Sequence, residues 1–285
     1  MKALVTGAKG QLGFDVIKIL EKKNIQYLGI DVDVLDITDE LKVKQIISEY
    51  KPDVIVHCAA YTAVDKAEDE KEICYSINVL GTKFLAEVCK DINAKMVYIS
   101  TDYVFDGKKE RPYEIADKPD PINFYGKTKY EGELEVQKSL EKYFIVRVSW
   151  LFGVNGNNFV KTMLRFGKDR DEISVVADQI GSPTYTNDLA EFIVELIHTD
   201  KYGIYHATNE GYCSWYEFAS EIFRLAGLNI KVKPISTDDY PTKAKRPKNS
   251  RLKKESFADM QYSRLPSWKE ALVRFLKESG YKIRK

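Results

Sequence analysis

The sequence predicts an α/β fold: a doubly wound parallel sheet with a smaller C-terminal α+β lobe. Three observations predict it. Short runs such as "KALVT" (2–6) and "DVIVHCAA" (53–60) are almost continuously apolar, as strands buried on both faces of a parallel sheet must be. Those runs alternate with stretches of helical periodicity, the pattern of repeated strand–helix–strand units. A glycine-rich turn, "TGAKGQLG" (6–13), joins the first strand to the first helix, which makes the sheet Rossmann-like.

The elements follow in order. "KALVT" ends at glycine, and a helical pattern runs from about Gln11 to Lys23. "QYLGID" (26–31) reads as the second strand, "ELKVKQIISEY" as a helix and "DVIVHCAA" as the third strand. A helical segment at 72–91 leads to the fourth strand, "AKMVYIS" (94–100), and another at 124–141 leads to the fifth, "YFIVRVS" (143–149). After about residue 150 the rhythm loosens, with Gly, Asn and Pro gathered in "GVNGNN" (153–158) and "GSPTYTN" (181–187). Helices are expected at 187–199, 214–227 and 267–279, and the basic "TKAKRPKNSRLKK" (242–254) as a loop. Residues 1–150 are expected to form an NAD(P)-binding Rossmann domain. Residues 151–285 are expected to form mainly a substrate lobe over the sheet's carboxyl edge, with about 187–207 returning to the first domain. No Ser/Gly-rich linker or internal repeat is visible.

Bulk properties narrow the function. With 44% hydrophobic and 31% charged residues the 285-residue chain has the mix of a soluble globular protein. A net charge of +1 gives no reason to expect a nucleic-acid or membrane-surface partner. No apolar run is long enough to span a bilayer. Gly7 arrives after four or five apolar-leaning residues, too soon for a signal-peptide core, so a cytoplasmic location is expected. Cys58, Cys74, Cys89 and Cys213 form no C-x-x-C pair and read as reduced thiols. His57 and Cys58 are strand neighbours that point to opposite faces, so no metal site is expected from them.

Gly7, Gly10 and Gly13 are spaced G-x-x-G-x-x-G in the strand–turn–helix context that a dinucleotide needs. The tight turn and the close approach of a pyrophosphate exclude a Cβ, and the helix N-terminus offers unpaired N–H groups. Asp31, 18 residues beyond Gly13, suits the ribose hydroxyls of NADH. Lys9 in the turn suits a 2′-phosphate, so NADH or NADPH is expected. Asp36 with Ile37 could flank the adenine, or Asp36 could cap a helix. In "NFYGKTKYEGE" (123–133), Tyr125 and Lys129 share one face of a helix, one turn apart. Such spacing is common in a chain with 18 tyrosines. This pair, however, opens the helix after the fourth strand, whose end carries Ser100, Thr101 and Asp102, and ligands in such sheets lie at the strands' carboxyl ends. An ammonium beside Tyr125 is expected to lower the phenol's pKa, making it a general acid toward a carbonyl that Thr101 aligns.

The glycine turn, Thr101, Tyr125 and Lys129 resemble the extended short-chain dehydrogenase/reductase superfamily. "CAAYTAVDKAE" (58–68), "STDYVFDG" (100–107), "YGKTKYEGE" (125–133), "RVSWLFG" (147–153), "GNNFVKTML" (156–164), "DQIGSPT" (178–184) and "RPKNSRL" (246–252) together resemble the dTDP-4-dehydrorhamnose reductase family over nearly the whole chain. That resemblance implies an oxidoreductase of dTDP-rhamnose synthesis, serving cell-surface polysaccharide, that reduces the C4 ketone of dTDP-4-dehydro-6-deoxy-L-mannose. It implies coenzyme contacts at Gly10, Gln11, Leu12, Asp31, Ala59, Ala60 and Tyr61. Tyr125 would be the proton donor, Lys129 would bind the nicotinamide ribose and tune Tyr125, and Thr101 would assist. Thr101, Asp102 and Trp150 would contact the sugar nucleotide, with Trp150 a flat wall against the deoxysugar. Asn158 and Arg246 would face the diphosphate, with Arg251 a further candidate for a phosphate. Seven Lys/Arg fall in 243–254; such a run is usually solvated, and a nucleic-acid patch stays open, but Pro247, Asn249 and Ser250 stand where they resemble the family, which implies a phosphate role.

One departure concerns assembly. Some relatives dimerise through magnesium held by acidic side chains. Asp15 is available here, but the matching second position is Asn187, and the sequence ends at Lys285 without an acidic tail. No metal is expected, and a monomer or a homodimer both fit. Thr101-Asp102-Tyr103 lacks the further acid of a 4,6-dehydratase. Two alternatives stay open: another nucleotide-sugar epimerase or reductase, and a non-catalytic subunit resembling the regulatory subunit of methionine adenosyltransferase. Trp150 favours the reductase over the latter.

Overall fold

The structure, a computed structural model, describes residues 1–254 and 264–284. Its first half alternates strand and helix: β1 (Lys2–Thr6), α1 (Gln11–Lys22), β2 (Gln26–Ile30), α2 (Glu40–Tyr50), β3 (Val54–His57) and α3 (Lys71–Tyr75). A π-helical stretch (Ser76–Gly81) runs into α4 (Thr82–Asp91), followed by β4 (Lys95–Thr101), α5 (Phe124–Ser139) and β5 (Tyr143–Val148). Then come β6 (Leu151–Phe152), α6 (Phe159–Asp169), β7 (Glu172–Val176), β8 (Ile180–Gly181), β9 (Thr184–Tyr185) and α7 (Thr186–Leu196). The last elements are β10 (Gly203–His206), β11 (Cys213–Ser214), α8 (Trp215–Ala226), β12 (Lys231–Ile235) and α9 (Trp268–Glu278).

Six strands form one parallel sheet in the order β10-β5-β4-β3-β1-β2. The chain leaves β1 outward for β2 and returns to β3, so the order reverses beside β1 and a crevice opens at the carboxyl ends there. Ala3, Val5, Val54 and Val56 pack under α1 and α7 with Val16, Leu189 and Ile193. Leu4 and Ile55 pack on the opposite face with Val43, Ile47, Leu85 and Val88. Both faces of the inner strands β1, β3, β4 and β5 are buried, which is why their sequences are apolar with little alternation; the edge strands β2 and β10 are only partly covered. α7 and β10 belong to this body: β10 pairs with β5, and α7 packs on the same face as α1.

A separate core joins α6, α8 and α9 through Val160, Met163, Phe218, Phe223, Trp268 and Phe275. α8 opens with a capping box, Ser214 and Glu217 satisfying each other's orphan groups. The sequence reading placed no helix at 159–169 and no strands at 172–176 and 231–235. α6 does carry an apolar stripe, but it directly follows a Gly/Asn cluster. β12 is mostly exposed and contains Pro234, so its pairing with β7 is set by long-range contact. Among the described residues no helix is long and apolar enough to cross a membrane.

The glycine turn is sterically committed. Gly7 has φ +65°, and a Cβ there would meet Ala59 N at 2.7 Å; a Cβ on Gly13 would meet Gly7 O at 2.1 Å. Gly13→Ala is expected to destabilise the fold by about 1–3 kcal/mol, because α1 must retreat from the turn. Denaturant titration checks this, and a midpoint equal to that of the parent protein would show that the contact relaxes freely.

Candidate active site

A cleft of about 890 Å³ lies at the carboxyl ends of β1, β3, β4 and β5. Gly7, Gly10, Gln11, Leu12 and Gly13 line one end. α1 starts at Gly10 with no side-chain cap and no acidic residue in its first turn. Its first N–H groups are thus left for an anion, which is the fit a pyrophosphate requires. Asp31 is held by two backbone donors, Lys9 N and Val32 N, each at 2.9 Å. The Lys9 ammonium pairs with Asp33 at 2.7 Å. Asp36 and Ile37 line the cleft. Asp36 does not cap α2: its Oδ1 accepts from Thr38 N (2.9 Å) and Thr38 Oγ1 (2.8 Å) in a local turn, and Asp39 caps the helix. Ala59 and Ala60 line the wall, but Tyr61 does not. Its hydroxyl donates to Glu70 at 2.5 Å and its N–H to Asn78 at 2.8 Å, so its ring turns away and Thr62 takes the place at the cleft.

The other end gathers Ser100, Thr101, Asp102, Tyr125, Lys129 and Trp150. Asn123 caps α5 by accepting from Gly126 N at 2.8 Å, and Glu68 accepts from Phe124 N at 2.8 Å. A Cβ at Gly126 would lie 2.1 Å from Tyr103 O. The missing side chain therefore lets α5 press against the turn after β4, bringing Tyr125 to Thr101 and Asp102. Buried Asn78, in the π-helical stretch, bonds Thr128 Oγ1 (3.0 Å), which itself donates to Tyr125 O (2.9 Å). Thr101 Oγ1 donates to Asp102 Oδ1 at 3.0 Å. Both ring nitrogens of His57 are engaged, by Thr6 (2.8 Å) and Thr82 (3.1 Å).

Electrostatics here correct one expectation. The phenol of Tyr125 is raised, not lowered: burial is the main cause, the Asp102 carboxylate adds to it, and Thr101 pulls the other way. Burial likewise lowers the Lys129 ammonium to about 7 against the attraction of Glu133. For both groups burial, which penalises the charged form, is the largest influence. Asp102 is raised to about 7, again by burial, with Ser250 and Thr101 opposing.

Trp150 has φ +49°, a backbone region costly for a bulky residue. Its ring stacks on Trp215, centroids 3.6 Å apart at 13°. A Cβ at Gly181 would meet the Trp150 ring at 2.6 Å, so "GSPT" supplies the seat for the indole. The sequence reading missed Trp215, whose partner is 65 positions away. Asn157, Ser149 and Ile99 also line the cleft unforeseen.

Asn158 lines the cleft, but it caps α6 and donates to Gln11 Oε1 (2.9 Å) and Gly153 O (2.8 Å). Arg246 is not among the lining residues: its guanidinium grips Asp65 at 2.7 and 3.1 Å. Arg251 bonds Asn249 and Glu110 O. Of the loop's lysines, Lys243, Lys248 and Lys253 reach Asp69, Asp178 and Glu114, and Lys254 donates to Gly211 O at 2.7 Å, so much of the loop's charge is met by the protein's own groups. Asp15 is buried and accepts from Thr186 Oγ1 at 2.5 Å.

Residues 1–280 match the family model described as the RmlD substrate binding domain. A dTDP-4-dehydrorhamnose reductase of Aggregatibacter actinomycetemcomitans is 47% identical over 264 residues, 88% of this chain and 90% of that protein. The spore coat polysaccharide biosynthesis protein SpsK of Bacillus subtilis (strain 168) is 40% identical over 277 residues, 97% of each. The crystal structure of a Bacillus anthracis str. Ames dTDP-4-dehydrorhamnose reductase in complex with NADP superposes with a TM-score of 0.94 at 48% identity, covering 97% of this chain and 99% of that one.

Proposed function

Because the chain belongs to the RmlD substrate-binding domain family, we propose that it is a dTDP-4-dehydrorhamnose reductase, an NAD(P)H-dependent oxidoreductase that converts dTDP-4-dehydro-6-deoxy-L-mannose to dTDP-L-rhamnose. One observation carries the reading: Thr101 and Tyr125 meet on the wall of the same cleft whose far end is the uncapped, Cβ-free start of α1.

NADH or NADPH, when bound, supplies the hydride. Gly7, Gly10 and the first amides of α1 would hold the diphosphate, Asp31 the adenosine ribose, and Lys129 the nicotinamide ribose. At the sugar's C4 ketone, the Thr101 hydroxyl aligns the oxygen and Tyr125 gives it a proton as it becomes an alkoxide. A raised phenol pKa does not obstruct this step. Tyr125 stays in its acid form across neutral pH, and a developing alkoxide is far more basic than a phenolate. The proton leaves a phenolate behind, and the Lys129 charge then offsets it. The Trp150–Trp215 stack offers a flat apolar wall to the deoxysugar.

The purified protein is expected to oxidise NADH or NADPH when given dTDP-4-dehydro-6-deoxy-L-mannose, read as loss of nicotinamide absorbance. Silence with both coenzymes would defeat the reading, and a panel of other 4-keto-6-deoxyhexoses fixes the sugar.

A further inference from the structure

Glu133 is 1% exposed and has no part in the chemistry above. It follows Lys129 on α5 as Lys129 follows Tyr125, each one turn on along the same face. Its carboxylate accepts from Ser100 Oγ (2.5 Å), Arg147 Nε (2.8 Å) and Arg147 Nη2 (2.7 Å). Arg147, on β5, is 2% exposed. An apolar pair of similar volume would serve stability as well as this buried ion pair. Its placement points to another role, because Ser100 belongs to the cleft wall beside Thr101. The ammonium of Lys129 stands 4.1 Å from the centroid of the Tyr98 ring. Tyr98 in turn is fixed by donating its hydroxyl to Lys129 O at 3.1 Å. Only a glycine at 132 leaves room for that hydroxyl, since a Cβ would lie 2.3 Å from it.

We infer that Glu133, clamped by Arg147 and Ser100, is a positioning residue that keeps Lys129 charged and seated on the Tyr98 ring. This rests on the reading that Lys129 serves the coenzyme and Tyr125. The groups around Lys129 leave Glu133 as its source of negative charge, partly offset by the Arg147 guanidinium on β5 that grips it. Tyr125 on its own helix and Tyr98 on β4 are both held protonated by burial. Burial keeps His57, at the end of β3, neutral with a pKa of about 3, and the adjoining Cys58 thiol is pushed up to about 12. Cys74 on α3 is raised as well. Glu133 opposes the burial that brings Lys129 down to about 7. The Lys129 pKa is lowered, so its charge is present below that value and lost as pH rises through it.

The test follows NADPH affinity by fluorescence against pH, and in parallel the high-pH limb of kcat/KM with the dTDP-ketosugar. Glu133→Gln keeps the volume and removes the charge. It is expected to move the midpoint of the high-pH limb down by about one to two pH units, and Glu133→Asp is expected to recover most of that shift. A folded Glu133→Gln protein whose activity drops equally at every pH, its midpoint unmoved, would overturn the inference. If that variant does not fold, Glu133→Gln/Arg147→Met, with neither charge left, takes its place. A smaller downward shift then supports the inference, and an unmoved midpoint overturns it. The coenzyme arm needs no sugar: shifted NADPH binding without turnover of the sugar would count against the substrate reading alone.

Discussion

Tyr125→Phe is expected to lower kcat by about 10²–10⁴-fold while NADPH affinity stays largely unchanged. The variant keeps the ring, which stands edge-on to Tyr103 with centroids 6.0 Å apart, and removes only the O–H. The tether of this turn runs through the Tyr125 carbonyl and Thr128, so the start of α5 is not disturbed. The loss should fall on kcat and kcat/KM together, since protonation of the alkoxide is made only in the transition state. Steady-state kinetics with a parallel coenzyme titration checks this. Turnover near that of the parent protein would mean that the proton comes from another group, and Asp102, in the same wall with a pKa of about 7, would be the first to examine.

Arg147→Met is expected to cost about 3–5 kcal/mol of folding stability, because Glu133 would remain buried without its cation. The guanidinium makes two of the three hydrogen bonds to that carboxylate and lies 5.1 Å from the centroid of the Phe105 ring. Methionine replaces the packing but not the charge. Removing the glutamate as well should restore most of the loss, since the pair is expected to be worth much less than either half left alone. Denaturant unfolding of the single and double variants measures both quantities. A loss under about 1 kcal/mol for Arg147→Met would show that the buried carboxylate finds another partner.

Much of the first half of the fold was legible because its signals are local. β1, β3 and β4 are nearly continuous apolar runs, and α1, α2 and α4 carry an apolar stripe facing the sheet; α5 does not, since it buries Gly126, Thr128, Lys129, Gly132 and Glu133 with Val136. The glycine turn declares itself through a spacing that only a Cβ-free backbone can use. Tyr125 and Lys129 were legible as a pair from helical periodicity, and as site candidates from their place after β4. Less was legible where a side chain's role depends on what it meets. Tyr61 sits beside Ala60 in sequence, yet Glu70 and Asn78 turn it out of the cleft. Arg246 reads as a phosphate ligand, yet Asp65, 181 positions away, takes its guanidinium. The acidity of Tyr125 was misjudged for the same reason. Spacing reports that an ammonium is near but says nothing about how much water surrounds it.

By itself the sequence determined the strand–helix alternation, the burial of both sheet faces, the glycine turn and the order in which chemical groups reach the sheet's carboxyl edge. These follow from periodicity and from backbone sterics, which act over a few residues. Only the tertiary structure decided that Trp215 stacks on Trp150, that Gly126 lets α5 close on Tyr103, and that Glu133 is held by Arg147 and Ser100 behind Lys129. Those contacts join residues far apart in the chain, and their energies depend on desolvation, which exists only once the core has closed around them.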